Sequence, residues 1–348
     1  MSKPAKQSRS KQQHLDDLKL GKYHFSQGGK ACLNRHESDY RVGNPCSHRW
    51  QARQMGLTLR KLESGHEGQN LYKWPSDIPK QPPAGGNWDL EGSNFTTSAS
   101  LPYEFEAHHI VPTNELMSAI NSIGKESPLK NEIKILVRKG LMEEGYNLNY
   151  MINMLILPMM HDEAFALALP KHKRTVDQFS HHLYSSYVRS KLKAVFADVK
   201  KDVDMHEAEA KENEKASKQN QKEAQKSDKE AARQQGMVWD AEKKGHAGRA
   251  TTHRERADAQ RTQAGSRWTE AQAQADEARE QRLEALNKVK SSPAGEGKEG
   301  IELLSEFLRE QIIACGLWLK LKGRDGSLED LREFLKQRDA ATRAPPPD

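Results

Sequence analysis

The chain has no run of about 18 apolar residues, the length a membrane-spanning helix needs, so no membrane span is expected. Its first residues, MSKPAKQSRSKQQH, lack the apolar stretch of a secretory signal, and export through a classical cleaved leader is not expected. Three cysteines, Cys32, Cys46 and Cys315, are too few for a disulfide framework and point to a reducing compartment. Proline is missing from Lys171 through Ser292, and between Phe196 and Phe307 the only aromatic residues are Trp239 and Trp268. Such a segment has nothing to interrupt a helix and little to bury. Leu and Ile do not recur there at heptad core positions, so no strong coiled coil is expected, and the segment reads as a solvated, partly frayed helical arm.

What is present is polar. Hydrophobic residues make up 35% of the 348 positions and charged residues 30%, so one core cannot run through the whole chain. The net charge of +6 is a mild basic bias, compatible with a polyanionic partner. The pattern divides into a flexible basic stretch (1–30), a main domain (31–200), a charged Ala/Glu/Lys/Gln-rich arm, helical or partly disordered (201–295), a C-terminal helical hairpin (296–340) and a short tail. In the main domain, HRWQARQMGLTLRKL predicts a helix, followed by a long irregular connection over 63–102. Alternation predicts a strand over 103–112, and MINMLILP predicts a buried strand over 151–158. Between them come a helix after Thr113 and another opened by Ser127-Pro128 and ending near Gly140. Thr175-x-x-Gln178 reads as the capping box of a helix carrying Val176, Phe179, Leu183, Val188, Leu192 and Val195. In the C-terminal hairpin, a first helix carries Leu304, Phe307, Leu308, Ile312, Cys315 and Leu319, and Ser327-x-x-Asp330 opens a second. The fold class is α+β, mostly helical.

Two histidines stand side by side in the first strand, in Phe105-Glu106-Ala107-His108-His109-Ile110-Val111-Pro112. Successive side chains of a strand leave on opposite faces, so neighbours cannot easily ligate one metal. They can divide two tasks at one site, one imidazole turning to a metal and the other to a water or substrate. Phosphodiester hydrolysis needs that division: a cation to neutralise phosphate oxygens, and a base of pKa near 6.5 to take the proton of the attacking water.

Ala107-His108-His109, Pro112, and then Asn153 with Leu157-Pro158 resemble the HNH/endonuclease VII superfamily, whose active site is a small ββα-metal unit. The nearest group within it is the bacterial toxin nucleases named for an Ala-His-His motif. The likeness covers about residues 103–190, near a quarter of the chain. It implies a divalent metal ion (Mg, Mn, Zn or Ni), His108 as first metal ligand, His109 as the general base, and Asn153 orienting the base or bracing its loop. Further ligands would follow the second strand. His172 and His182-Leu183-Tyr184 are the nearest match to the family's His-x-x-x-His element, ten residues apart where the family has four. With that likeness weighed in, His182 ranks first although its helix neighbour Gln178 is a poor ligand, then His172, then His161 and then His181, which shares a helix face with Asp177.

The resemblance further implies a sequence-non-specific endonuclease, DNase before RNase, acting as an antibacterial toxin or secretion-system effector. Its partners would be DNA or RNA, a cognate inhibitor (immunity) protein, and a secretion carrier or adaptor engaging the C-terminal region, with no membrane partner. Such a chain would sit in the producer's cytoplasm until a specialised secretion system exports it, and act in the target cell's cytoplasm. The rival reading is a non-catalytic scaffold with a degenerate metal site. Lys171, Lys173 and Arg174 are the cations nearest the site for a phosphate backbone. Cys32, His36, Cys46 and His48, spaced C-x3-H-x9-C-x-H, fit no common zinc finger and read as buried thiols with surface histidines. Trp50, Trp74 and Trp88 read as packing residues.

Overall fold

The computed structural model describes residues 31–36, 38–62, 72, 90, 95, 103–173, 181–291 and 296–343. The expectations for 1–30, for most of 63–102 including Trp74 and Trp88, and for Thr175, Asp177 and Gln178 lie outside them. The protein is mostly helical, with one small two-stranded sheet, and no helix among the described residues is long and apolar enough to cross a membrane. It divides into two compact units.

The first unit is built around strands β1 (Phe105–His109) and β2 (Met154–Pro158), antiparallel, with His109 opposite Met154 and Phe105 opposite Pro158. Helix α1 (His48–Leu62) packs on both strands. Both strands are shorter than the sequence pattern suggests. Residues Met151–Asn153 coil into a 3-10 turn, closed by Asn153 N–H donating to Tyr150 O at 2.9 Å. Phe105, Met154 and Ile156 share a face with Tyr40, Ala52, Phe95 and Tyr103, and the rings of Phe95 and Phe105 lie 4.6 Å apart. Each such side chain contributes about 1.5–3 kcal/mol on burial, which a lone strand pair in water cannot supply.

Helix α2 (Thr113–Ser122) follows β1, and α3 (Lys130–Glu143) leads back toward β2. The short α4 (His161–Leu167) ends on Ala168 in the left-handed conformation. Helix α5 (His182–Val195) packs on α2.

The C-terminal pair belongs to this same unit, together with the sheet. Helix α8 (Glu296–Leu321) packs on α4, α5 and the 151–153 turn, and α9 (Leu331–Arg343) packs back on α8. Gly316 lets α8 approach the chain after α4, since a Cβ there would meet the Ala168 carbonyl oxygen at 2.2 Å. The expected cap is present: Ser327 Oγ accepts from Glu329 N–H, and Asp330 accepts from Ser327 N–H at 2.8 Å. Residues 326–328 also bridge to Lys171, which donates its N–H to Gly326 O and accepts from Leu328 N–H.

The second unit comprises residues 123–133 and 198–291 and is dominated by two long helices, α6 (Ala197–Lys243) and α7 (Ala247–Ser291). They turn at Gly245, whose φ of +69° suits a residue without Cβ. Instead of a frayed arm, they form an antiparallel pair: partners run from Arg282 with Glu207, through Asn220 with Gln274, to Arg254 with Glu242. The buried seam has a seven-residue period, in Val203, Ala210, Ser217, Ala224, Ala231 and Val238 on one helix and Ala250, Ala257, Ala264, Ala271, Ala278 and Ala285 on the other. No Leu or Ile heptad is present in this seam, as expected; the seven-residue period is carried mainly by alanine, which the sequence reading did not consider. Small residues bring the backbones together, and Ser217 Oγ donates across the seam to Ala271 O at 2.7 Å.

A seam this close has no room for a larger side chain. Ala264→Leu is expected to destabilise the hairpin by about 1–3 kcal/mol, whereas Ala273→Leu on the exposed face stays within about 0.5 kcal/mol. Thermal unfolding followed by helical circular dichroism compares the two.

Candidate metal centre

β1, the turn after α4 and the start of α5 meet at a cleft of about 740 Å³ in the first unit. His108 enters it from β1, His172 from the segment after α4, and His181 from the residue before α5. His172 Nε2 lies 3.1 Å from His108 Nδ1 and 3.0 Å from His181 Nε2. All three ring nitrogens fall within 4.8 Å of one another. A tetrahedral ion with metal–nitrogen bonds of about 2.0–2.1 Å sets its ligands about 3.3 Å apart, so little movement would seat one.

The outer side of the cluster fits the same reading. Glu106 stands two residues before His108, on the same strand face, with Oε2 2.5 Å from His172 Nδ1. A carboxylate there holds the proton on Nδ1 and leaves the His172 lone pair on Nε2, pointing at the other two rings. That is the carboxylate–histidine arrangement that orients metal ligands. His108 Nε2 is buried with no hydrogen-bond partner among the described residues, so its ring is satisfied only from the Nδ1 side.

The electrostatics keep the rings uncharged. Burial pushes His108 well below the ordinary histidine range, and the neighbouring rings push the same way. Burial also lowers His172, with Glu106 opposing. His181 is held down to about 3, by burial first and then by His172. The His172 hydrogen bond holds Glu106 at about 2 against the cost of its own burial. Neutral imidazoles with available lone pairs are the state a metal requires.

His109 leaves the strand on the other side. Its ring stacks on His48, with centroids 5.4 Å apart and planes at 30°. Its Nε2 lies 2.9 Å from Asn149 Oδ1. Asn149 Nδ2 donates to Asn34 O at 2.5 Å, which fixes the amide so that Oδ1 faces His109. An amide oxygen only accepts, so His109 carries its proton on Nε2 and its lone pair on Nδ1. His109 also lines the cleft.

Asn153 bonds to the backbone around the site. It is fully buried, donates through Nδ2 to Val111 O at 3.2 Å and Leu148 O at 2.8 Å, and accepts the Val111 N–H through Oδ1 at 2.6 Å. It braces the backbone at the end of β1. His182 is exposed on the cleft wall and is not a member of the three-nitrogen group. His161 pairs instead with Asp325 Oδ1 at 3.1 Å, beside Lys171 at 2.7 Å, and neither residue lines the cleft. Of the two expected cations among the described residues, Lys173 is in the cleft, 3.2 Å from Glu106, and Lys171 is not; Arg35 and Arg189, which pairs with Glu115, join Lys173 there. Arg174 lies outside the described residues.

Sequence reasoning passed over Glu106, whose place two residues from His108 was the available signal. It ranked His181 last, and it did not consider Asn149, which nothing local distinguishes from Asn147. Cys32 and Cys46 are buried and free, as expected, but His48 is buried too, its Nδ1 2.6 Å from His36 O. Trp50 is half-buried. No protein-family model matches the chain, and comparison with curated proteins and with solved structures gives no significant match either.

The buried neutral rings make stability depend on pH. The unfolded chain takes up protons on His108, His172 and His181 below about 6.5, while the folded chain refuses them. The unfolded state then binds more protons, so stability rises with pH in this window and is lost as pH falls from about 6.5 toward about 3, the folded value for His181. The melting temperature of the metal-stripped chain is expected to drop across that interval; a flat profile would contradict the neutral-ring assignment.

Proposed function

We propose that this chain is a metal-dependent phosphodiester hydrolase, an endonuclease cutting DNA in preference to RNA without reading sequence. The observation that carries the reading is the pairing of two differently equipped histidines in one cleft. His108, with His172 and His181, offers three neutral lone pairs backed by Glu106. His109, next in the chain, is held by Asn149 with its Nδ1 as the basic atom.

The residues present fit a divalent metal. Three imidazoles favour an ion that accepts nitrogen, such as Zn, Ni or Mn, over Mg, which prefers oxygen. Bound there, the ion would supply charge neutralisation for phosphate and leaving-group oxygens. The chain's own residues do the rest. His109 Nδ1 takes a proton from a water as its oxygen bonds to phosphorus, and the P–O bond to the leaving sugar oxygen breaks. Asn149 holds the ring in the required tautomer and stabilises the imidazolium that forms. Arg35, Lys173 and Arg189 supply backbone-directed charge without base contacts, which suits non-specific cutting. Use as an antibacterial effector, with an inhibitor protein as partner and a specialised export route, is proposed from the family resemblance.

The test is plasmid cleavage by the full chain with added Zn, Ni, Mn or Mg, beside matched RNA. His109→Ala is expected to lower the rate about 10²–10⁴-fold with metal content unchanged, whereas His172→Ala lowers metal content as well. Asn149→Ala is expected to lower the rate while leaving the fold intact. If the folded wild type cuts neither nucleic acid with any of the four metals, or if His109→Ala cuts as fast, the reading fails.

A further inference from the structure

A second group of metal-ligating side chains lies outside the residues that line the cleft. Cys32 Sγ, Cys46 Sγ and a ring nitrogen of His36 fall within 4.8 Å of one another. Both thiols are fully buried and His36 is half-buried. Two backbone turns bring them together. Residues 31–36 run beside 146–148, with Cys32 N–H donating to Tyr146 O and Cys32 O accepting from Leu148 N–H at 2.7 Å. Cys46 sits in a turn made by Asn44, whose side chain accepts the Cys46 N–H at 3.0 Å and whose carbonyl accepts the Ser47 N–H. His36 O then takes the His48 N–H at the first residue of α1.

We propose that Cys32, His36 and Cys46 bind one zinc ion as two thiolates and an imidazole, independently of the cleft. Two sulfurs and one nitrogen are the donor types zinc takes in structural sites, with Zn–S bonds of about 2.3 Å and tetrahedron edges of about 3.8 Å. The donors lie within 4.8 Å of one another, so a shift of about an ångström would bring them to that spacing. Soft thiolates exclude Mg and Ca and separate this site from the all-imidazole cluster. Three protein donors leave a fourth position, which a water would fill. The ion would tie the start of α1 to the 31–36 run. That run carries Asn34, whose carbonyl fixes Asn149. The zinc would thus preorganise the partner of His109, a consequence that rests on the proposed function. The metal site itself does not.

The experiment is cobalt(II) titration of the reduced, metal-stripped full chain, with Co(II) as the probe. A thiolate-to-cobalt charge-transfer band is expected, and in His172→Ala, where the cleft no longer competes for the ion, it should saturate at one ion per chain. The band should persist in His108→Ala and His172→Ala, which remove only imidazole ligands of the cleft. It should vanish in Cys46→Ser and weaken by at least roughly tenfold in affinity in His36→Ala. Because Cys46→Ser could fail to fold, a second measurement uses the wild type alone. Zinc is expected to protect Cys32 and Cys46 from alkylation, read by peptide mass, and to leave Cys315 unchanged. A wild type that shows no thiolate band would overturn the site. So would thiols equally reactive with and without zinc, or a Cys32–Cys46 disulfide in place of metal. These readouts do not depend on cleavage, so an inactive chain with the band refutes the nuclease reading alone.

Discussion

The first unit hangs on one buried amide. Asn153 gives its two N–H donors to Val111 O and Leu148 O, and its Oδ1 accepts the Val111 N–H, with Ser305 Oγ, which shares its one hydrogen with Ile301 O, 3.1 Å away. These bonds join the end of the strand carrying His108 and His109, the loop carrying Asn149, and helix α8. Inside a protein each unmet polar group costs about 1–3 kcal/mol, so a partly satisfied version of this junction would be worse than none. The amide therefore fixes a geometry that its neighbours use without touching the chemistry itself.

Around that junction His172 and His109 differ because of what stands behind them. A carboxylate behind His172 leaves a lone pair facing inward, and an amide behind His109 leaves its lone pair on Nδ1. Burial does the common part in the metal cluster, keeping His108, His172 and His181 neutral. Strand alternation does the dividing part, since the same five-residue strand sends Glu106 and His108 to one side and His109 to the other.

Much of this could be read from the residues, and what could not has physical reasons. Helix α1 occupies the stretch HRWQARQMGLTLRKL, and the Ser327–Asp330 cap is as its spacing implied, because local hydrogen bonds and periodicity decide both. The choice between His181 and His182 turns on one residue at a helix start, where boundaries are least determined by sequence. Asn149 is chosen by a bond to Asn34 across 115 positions, which no local pattern announces. The long arm was misjudged for a different reason. Its seven-residue period is plain at Ala250, Ala257, Ala264, Ala271, Ala278 and Ala285, but alanine is a weak hydrophobe and draws notice only when close backbone approach is considered.

The docking of the C-terminal helices on the sheet unit has a consequence for timing. Asn153 reaches Ser305 across 152 positions, and Lys171 reaches Asp325 across 154. A ribosome adding roughly 5–20 residues per second needs roughly 8–30 s to cover about 150 residues. Throughout that interval the emerging chain holds both histidines of β1 without the supports of the backbone that places His172. The backbone around the cleft is therefore braced only after residues 305–325 have emerged, and a chain broken off within the long hairpin would carry the motif without those braces.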